Sequence, residues 1–105
     1  MKIKKYDIMI SNNTFNSSIN RIINQSYKIL CYREENKDWE KPLKTVIIEI
    51  IGMQRLIQDE NNFFVLLSKL EALFNLNETN DFFDFRRTVF ECMTLLEGMI
   101  VCNQD

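Results

Sequence analysis

The amino-acid sequence predicts an all-α fold, a single-domain antiparallel bundle of four main helices. The first observation is a polar stripe at helical spacing, which runs from Asn80 to Gly98 with apolar residues in almost every gap. This spacing is typical of a helix with one solvated face, and similar patterns occur upstream. The second observation is composition, since two Gly and one Pro in 105 residues are few for a many-turned fold. A chain of this length forms one domain, residues 1–105, and can bury a core without metals or disulfides.

The N-terminal segment, residues 1–17, is expected to be a lead-in to the bundle. Residues 1–10 suit either a strand or a helix, because their apolar side chains fit both periods. Residues 11–14 are Ser, Asn, Asn and Thr, which favours a loop. The first main helix is expected at about 18–33, where apolar residues recur every three or four positions.

The second helix is expected at about 42–59. Pro42 suits a first helical turn, and the polar spacing continues as far as Asp59. Residues 45–51 are β-branched except for Glu49, however, and could form a buried strand. The alternative fold is therefore α+β in the order βββαα, with strands at 1–10, 26–33 and 44–51.

The third and fourth helices are expected at about 62–75 and 80–101. Asp81 and Asp84 would lie in the first turn of the fourth helix, where carboxylates complement the helix dipole. The connections between the last three helices are short, which favours antiparallel neighbours.

The distribution of charge and of apolar residues limits which partners and which cellular compartment are expected for this protein. Residues 1–44 carry nine basic and five acidic side chains, whereas residues 45–105 carry four basic and ten acidic ones. An acidic C-terminal half would repel phosphate, which argues against nucleic acid. No apolar run is long enough for a membrane span, and no signal peptide is evident. Cys31, Cys92 and Cys102 are unpatterned, as in a reducing compartment, so we expect a cytoplasmic protein.

The residues needed for common catalytic chemistry are scarce. The sequence has no His, which removes the commonest general base and metal ligand. Three scattered Cys do not form a zinc pattern, and two isolated Gly cannot form a phosphate-binding loop. We therefore predict that the protein is not an enzyme and has no catalytic residues, cofactor or metal site.

The candidate partner-binding features are two acidic clusters and an aromatic run. One cluster is Asp59 and Glu60, between the second and third helices, and the other is Glu78, Asp81 and Asp84, at the start of the fourth. Phe82, Phe83 and Phe85 spread widely around one helix, so either the helix is central or one of them is exposed beside the carboxylates. An exposed aromatic rimmed by charge is a good anchor for a protein partner. Trp39 could be a second anchor, although a lid over the core is favoured. The candidate partner-binding residues are Asp59, Glu60, Glu78, Asp81, Phe83 and Asp84.

Three functions fit this pattern. The first is a small acidic protein that neutralises a basic protein, such as the immunity partner of a bacterial nuclease toxin or a phage-type inhibitor. In size, charge and helicity the chain resembles small acidic helical immunity proteins. The second is a structural homo-oligomer, such as a homodimer, or an adaptor, which buries the Phe side chains of its last two helices and the Ile-rich second helix against a copy of itself. The third is a nucleic-acid-binding regulator that uses the basic N-terminal half.

Overall fold

The computed structural model describes residues 5–57 and 60–100, and these residues confirm the all-α bundle. No strand occurs within them, so the βββαα alternative is wrong. Short 3-10 turns occupy Gln54–Leu56, Leu73–Asn75 and Thr79–Asp81. The four helices are α1 (Lys5–Glu34), α2 (Glu40–Gly52), α3 (Glu60–Ala72) and α4 (Phe82–Glu97).

Helix α1 is longer than the sequence predicts. It runs unbroken from Lys5 to Glu34, so residues 5–17 are helical and the loop expected at 11–14 is absent. Asn and Ser cost only about 0.5 kcal/mol each in a helix interior, which a helix anchored by burial tolerates. That anchor is the stripe that begins with Phe15 and continues through Ile19 and Ile22. Helix α1 has 30 residues and spans roughly 45 Å, about twice the length of α2 or α3.

Polar residues fix the junction between α1 and α2. Asn36 has a positive φ of 58°, and its amide donates to the Arg33 carbonyl while the Lys37 amide donates to the Tyr32 carbonyl. This pattern is a Schellman motif, in which an Asn or Gly ends the helix. The Asp38 carboxylate then accepts hydrogen bonds from the amides of Glu40 and Lys41, at 3.1 and 3.3 Å. It satisfies amides that a helix start leaves free.

Helix α2 ends earlier than the predicted residue 59. It stops at Gly52, and the 3-10 turn redirects the chain so that Ile57 becomes buried. Polar spacing continues past this point because the turn is exposed, which explains why the pattern overestimates the helix. Asp59 lies outside the described residues.

The last two helices agree with expectation except at their ends. Helix α3 begins two residues earlier than predicted, and its last predicted turn is a 3-10 turn. Helix α4 ends at Glu97, where the Gly98 amide donates to the Thr94 carbonyl. The predicted range of 80–101 is therefore too long at both ends, because residues 80–81 belong to a 3-10 turn and residues 98–100 are not helical.

The helices form an antiparallel ring in which α1 contacts α2 and α4, and α3 contacts α2 and α4. The Arg21–Glu49 salt bridge, at 3.0 Å, joins α1 to α2. The Lys69–Glu91 salt bridge, at 3.1 Å, joins α3 to α4. Inside the ring lies one apolar core, to which every helix contributes; its fully buried members include Ile22, Ile29, Leu43, Ile50, Leu66, Leu70, Phe85 and Leu96.

Candidate functional site

The acidic cluster before and at the start of α4 is largely engaged in local contacts. The Asp81 carboxylate accepts a hydrogen bond from the Glu78 amide at 3.2 Å, which closes the turn before the helix. The Asp84 carboxylate pairs with the Arg87 guanidinium at 3.1 Å, one helical turn away. The structure therefore brings Glu78, Asp81 and Asp84 together, as the sequence predicts, and adds a basic neighbour to them.

A second basic residue, Arg33, reaches this cluster from the end of α1. Its guanidinium donates to the Leu76 carbonyl and, at 2.7 Å, to the Glu78 carbonyl. Burial lowers the pKa of Arg33, while the charge of Asp81 acts in the opposite direction. Two guanidinium groups thus offset much of the charge of three carboxylates, so this end of the bundle is less acidic than its sequence indicates.

The aromatic run of α4 divides between core and solvent. Phe85 is fully buried, Phe82 is half-buried, and the Phe83 side chain is 70% exposed. Successive helical residues differ by 100°, so these three cannot share one face. Phe83 is thus an exposed aromatic beside Asp84. Its role in partner binding stays a prediction.

Trp39 is a lid rather than an exposed anchor. Its ring stacks on Phe74 with centroids 6.3 Å apart and meets the edge of Phe85 at 4.9 Å. The Arg33 guanidinium lies 4.4 Å from the Phe85 centroid and 5.7 Å from that of Trp39. No local pattern in the sequence indicates the role of Arg33, because the carbonyls of Leu76 and Glu78 lie more than 40 residues away along the chain.

The outer face of α4 forms a shallow, mainly apolar groove of about 560 Å³, which we call the α4 groove. Phe83 and Phe90 lie two turns apart along it, and the Arg86 guanidinium sits 5.1 Å from the Phe90 ring centroid. Lys69 borders the groove on the α3 side. The groove is lined by Lys69, Phe83, Arg86, Arg87, Phe90, Glu91, Thr94 and Leu95.

The α4 groove was not identified from the sequence. The signal was nevertheless available, because residues 83, 86, 87 and 90 follow the spacing of one helix face. The residues that surround Phe83 in the groove are thus basic and aromatic, with Asp84 on the flank.

The other predicted acidic cluster is separate from this one. Glu60 is exposed at the first residue of α3, whereas Glu78 and Asp81 follow the end of that helix. A helix of 13 residues spans roughly 20 Å, so Glu60 does not join the acidic cluster at α4. Asp59, its predicted companion, lies outside the described residues.

The described residues offer little for metal or thiol chemistry. Within residues 5–57 and 60–100, no group of three His, Cys, Asp or Glu could hold a metal ion. Burial raises the pKa of the Cys92 thiol to about 12, which keeps it protonated and unreactive. Cys31 is half-buried, and both thiols are free. None of the helices in the same ranges has the length and apolar character needed to cross a membrane.

Comparison with known proteins identifies no relative. No protein family, curated protein or solved structure matches this chain significantly. The candidate site therefore depends on its own geometry.

Proposed function

We propose that this protein acts by binding another protein, as an inhibitor or immunity protein that neutralises a basic toxin or nuclease. The observation that carries the proposal is the α4 groove, where Phe83 and Phe90 are exposed on either side of Arg86. Aromatic residues and Arg are enriched among residues that dominate binding energy in protein interfaces.

Phe83 is the expected central anchor. Its ring is 70% exposed, so a partner pocket could remove most of its apolar surface from water. Phe90 is 37% exposed and is covered in part by Arg86, which supplies a flat guanidinium for contact with the partner. Together they form a compact patch of the kind that an interface buries at its centre.

The carboxylates would act at the rim of this interface. Asp84 pairs with Arg87 beside Phe83, and Glu78 is exposed near the start of the helix. Rim charges chiefly steer the encounter and change the rate of association, whereas buried anchors change the rate of dissociation. The net charge of −2 would favour the approach of a partner that is basic overall, whereas Lys69, Arg86 and Arg87 in the groove would meet acidic or neutral groups of that partner.

The test is affinity capture from native lysate with three baits: wild type, Phe83→Ala and Tyr27→Ala. Tyr27 is a matched control because it is an aromatic side chain that is 49% exposed on α1, outside the α4 groove. A protein held stoichiometrically by wild type and Tyr27→Ala, with affinity about 30-fold weaker for Phe83→Ala, would support the proposal. Equal retention by all three baits would reject the α4 groove.

The inhibitor function needs a further measurement on the captured protein. Its enzymatic activity should fall to zero at one equivalent of wild type. Reversal of Asp84 to Lys should slow association and flatten its dependence on salt, because a rim carboxylate would be lost. Activity that is unaffected by saturating wild type would leave binding without inhibition and would reject this function.

A further inference from the structure

A second unpartnered apolar surface lies outside the α4 groove, along the outer side of α2 and α3. Ile48 is 68% exposed, Ile51 is 50% exposed and Phe64 is 54% exposed. Leu56, in the turn after α2, is also exposed. Large apolar side chains that are grouped in this way usually mark an interaction surface.

Helical geometry places these side chains on one face. Glu49 pairs with Arg21 of α1, so the opposite side of α2, with Ile47 and Ile51, faces α3. Likewise Lys69 pairs with Glu91 of α4, so the opposite side of α3 faces α2. That side of α3 carries Phe64 and the half-buried Leu67. Ile51 and Phe64 therefore border the same α2–α3 seam, and their exposed parts lie on its outer side.

Apart from Glu40 at the first residue of α2, the charged residues beside this seam differ in sign between its two helices. Lys44 of α2 and Arg55 in the following turn are basic and exposed, whereas Glu60 and Glu71 of α3 are acidic and exposed. No salt bridge to any of the four occurs among the described residues. One half of the face is thus basic and aliphatic, and the other half is acidic with an aromatic ring.

We propose that this face, termed the α2–α3 face, binds a second copy of the chain. A two-fold axis parallel to the helices, between α2 and α3, would lay α2 of one protomer antiparallel on α3 of the other. Lys44 would then lie opposite Glu71 of the partner subunit, and Arg55 would lie opposite Glu60 of the partner subunit. Ile51 would meet Phe64 of the partner subunit in the same register.

This register is consistent with the spacing along the two helices. In an antiparallel pair, residues that face each other advance along one helix as they recede along the other. The step from 44 to 51 on α2 equals the step from 71 to 64 on α3. One register thus aligns the Lys44–Glu71 ion pair and the apolar pair, while Arg55, in the turn after α2, and Glu60, at the first residue of α3, lie at the same end of the face. Ile48 would lie over the small, exposed Ser68 of the partner subunit, which leaves room for it.

A copy of the chain matches this face better than an unrelated protein of one charge. A basic partner would complement only the α3 half, and an acidic partner would complement only the α2 half. The copy satisfies both halves at once, and symmetry makes each ion pair occur twice. The surface does not include Phe83 or Phe90, so the proposal is independent of the function proposed for the α4 groove.

The test is sedimentation equilibrium of the full chain from about 1 μM to 1 mM, a range in which self-association appears as a concentration-dependent mass. Wild type should show a monomer–dimer equilibrium. Ile48→Glu should raise the dimer dissociation constant about 100-fold, because it places a charge in the apolar centre. Phe83→Ser, on α4, should leave the constant unchanged. Far-UV circular dichroism of each variant should show that its helices are retained.

A charge swap tests the register. Lys44→Glu and Glu71→Lys should each weaken the dimer about tenfold, since each change affects two symmetric pairs. The double variant restores opposite charges and should return to within about threefold of wild type. A wild type that is monomeric at all concentrations would overturn the proposal. A dimer insensitive to Ile48→Glu, or a double variant weaker than both single variants, would also overturn it.

Discussion

Replacing Arg33 with Ala should destabilise the fold more than any other change of an exposed or half-buried charge. Arg33 joins the end of α1 to the segment between α3 and α4 through the carbonyls of Leu76 and Glu78. Its guanidinium also lies 4.4 Å from the centroid of the buried Phe85 ring. The side chain thus fastens together parts of the chain more than 40 residues apart.

The magnitude follows from these contacts. Hydrogen bonds from a charged donor contribute roughly 1.5 kcal/mol each at the lower end of their range, which suits a half-buried side chain. The guanidinium–ring contact adds about 0.5 kcal/mol. Water can replace part of the lost hydrogen bonding, so the free energy of unfolding should fall by about 2–3 kcal/mol. For a domain of this size, that loss lowers the urea midpoint by about 2 M.

Trp39 provides the assay, because it is the single Trp of the chain and its ring lies 5.7 Å from the Arg33 guanidinium. Urea unfolding should be followed by its fluorescence and by far-UV circular dichroism. Arg87→Ala is the matched control, since Arg87 is exposed and forms one salt bridge, worth about 0.5 kcal/mol or less. The loss of stability for Arg33→Lys should fall between those of Arg33→Ala and Arg87→Ala, because a Lys ammonium cannot reproduce the planar, forked hydrogen bonding of a guanidinium.

A loss below about 0.5 kcal/mol for Arg33→Ala would refute the reasoning, since that is the range of an ordinary surface charge. A loss equal to that of Arg87→Ala would do the same. Either result would mean that the guanidinium contacts contribute no net stability.

Two further changes test the interior and a helix end. Because burial raises the pKa of Cys92 from 9.0 to about 12, the folded state holds a proton that the unfolded state loses above pH 9, and stability falls as pH rises. The advantage of wild type over Cys92→Ala should therefore shrink by about 1.4 kcal/mol from pH 8 to pH 10 in urea titrations; a constant difference would contradict it. Asn36→Ala should cost about 1 kcal/mol, because Asn36 has φ of 58°, whereas Asn36→Gly should not. The melting temperatures of the two variants check this difference, and equal values would count against a role for the left-handed backbone conformation of residue 36 in stability.

Periodicity identified the four helices because each one buries a continuous stripe, such as Phe63, Leu66 and Leu70 on α3. Their ends were harder to predict, since ends depend on tertiary packing. Residues 11–14 have the composition of a loop yet lie in α1, and α2 stops at Gly52 although its polar spacing continues. In each case local preference amounts to a fraction of a kcal/mol, which packing easily outweighs.

The candidate site was predictable only where it depends on neighbours in sequence. The Asp84–Arg87 pair follows from their spacing of three, whereas the angles between Phe82, Phe83 and Phe85 left open whether all three are buried or one is exposed. Arg33 reaches the Leu76 and Glu78 carbonyls across more than 40 residues, which no local pattern encodes. The same contact places a positive guanidinium beside the predicted acidic cluster and so reduces its net negative charge.

The ring of helices has a consequence for the order of folding. Three of its contacts, α1–α2, α2–α3 and α3–α4, join consecutive helices, whereas α1–α4 joins the first helix to the last. Local contacts form quickly, but closing a long loop delays any contact that depends on it. We therefore expect the rate-limiting barrier to be the closure of α1 onto α4. Side chains in that seam should set the speed of folding, and those between α2 and α3 should chiefly set the speed of unfolding.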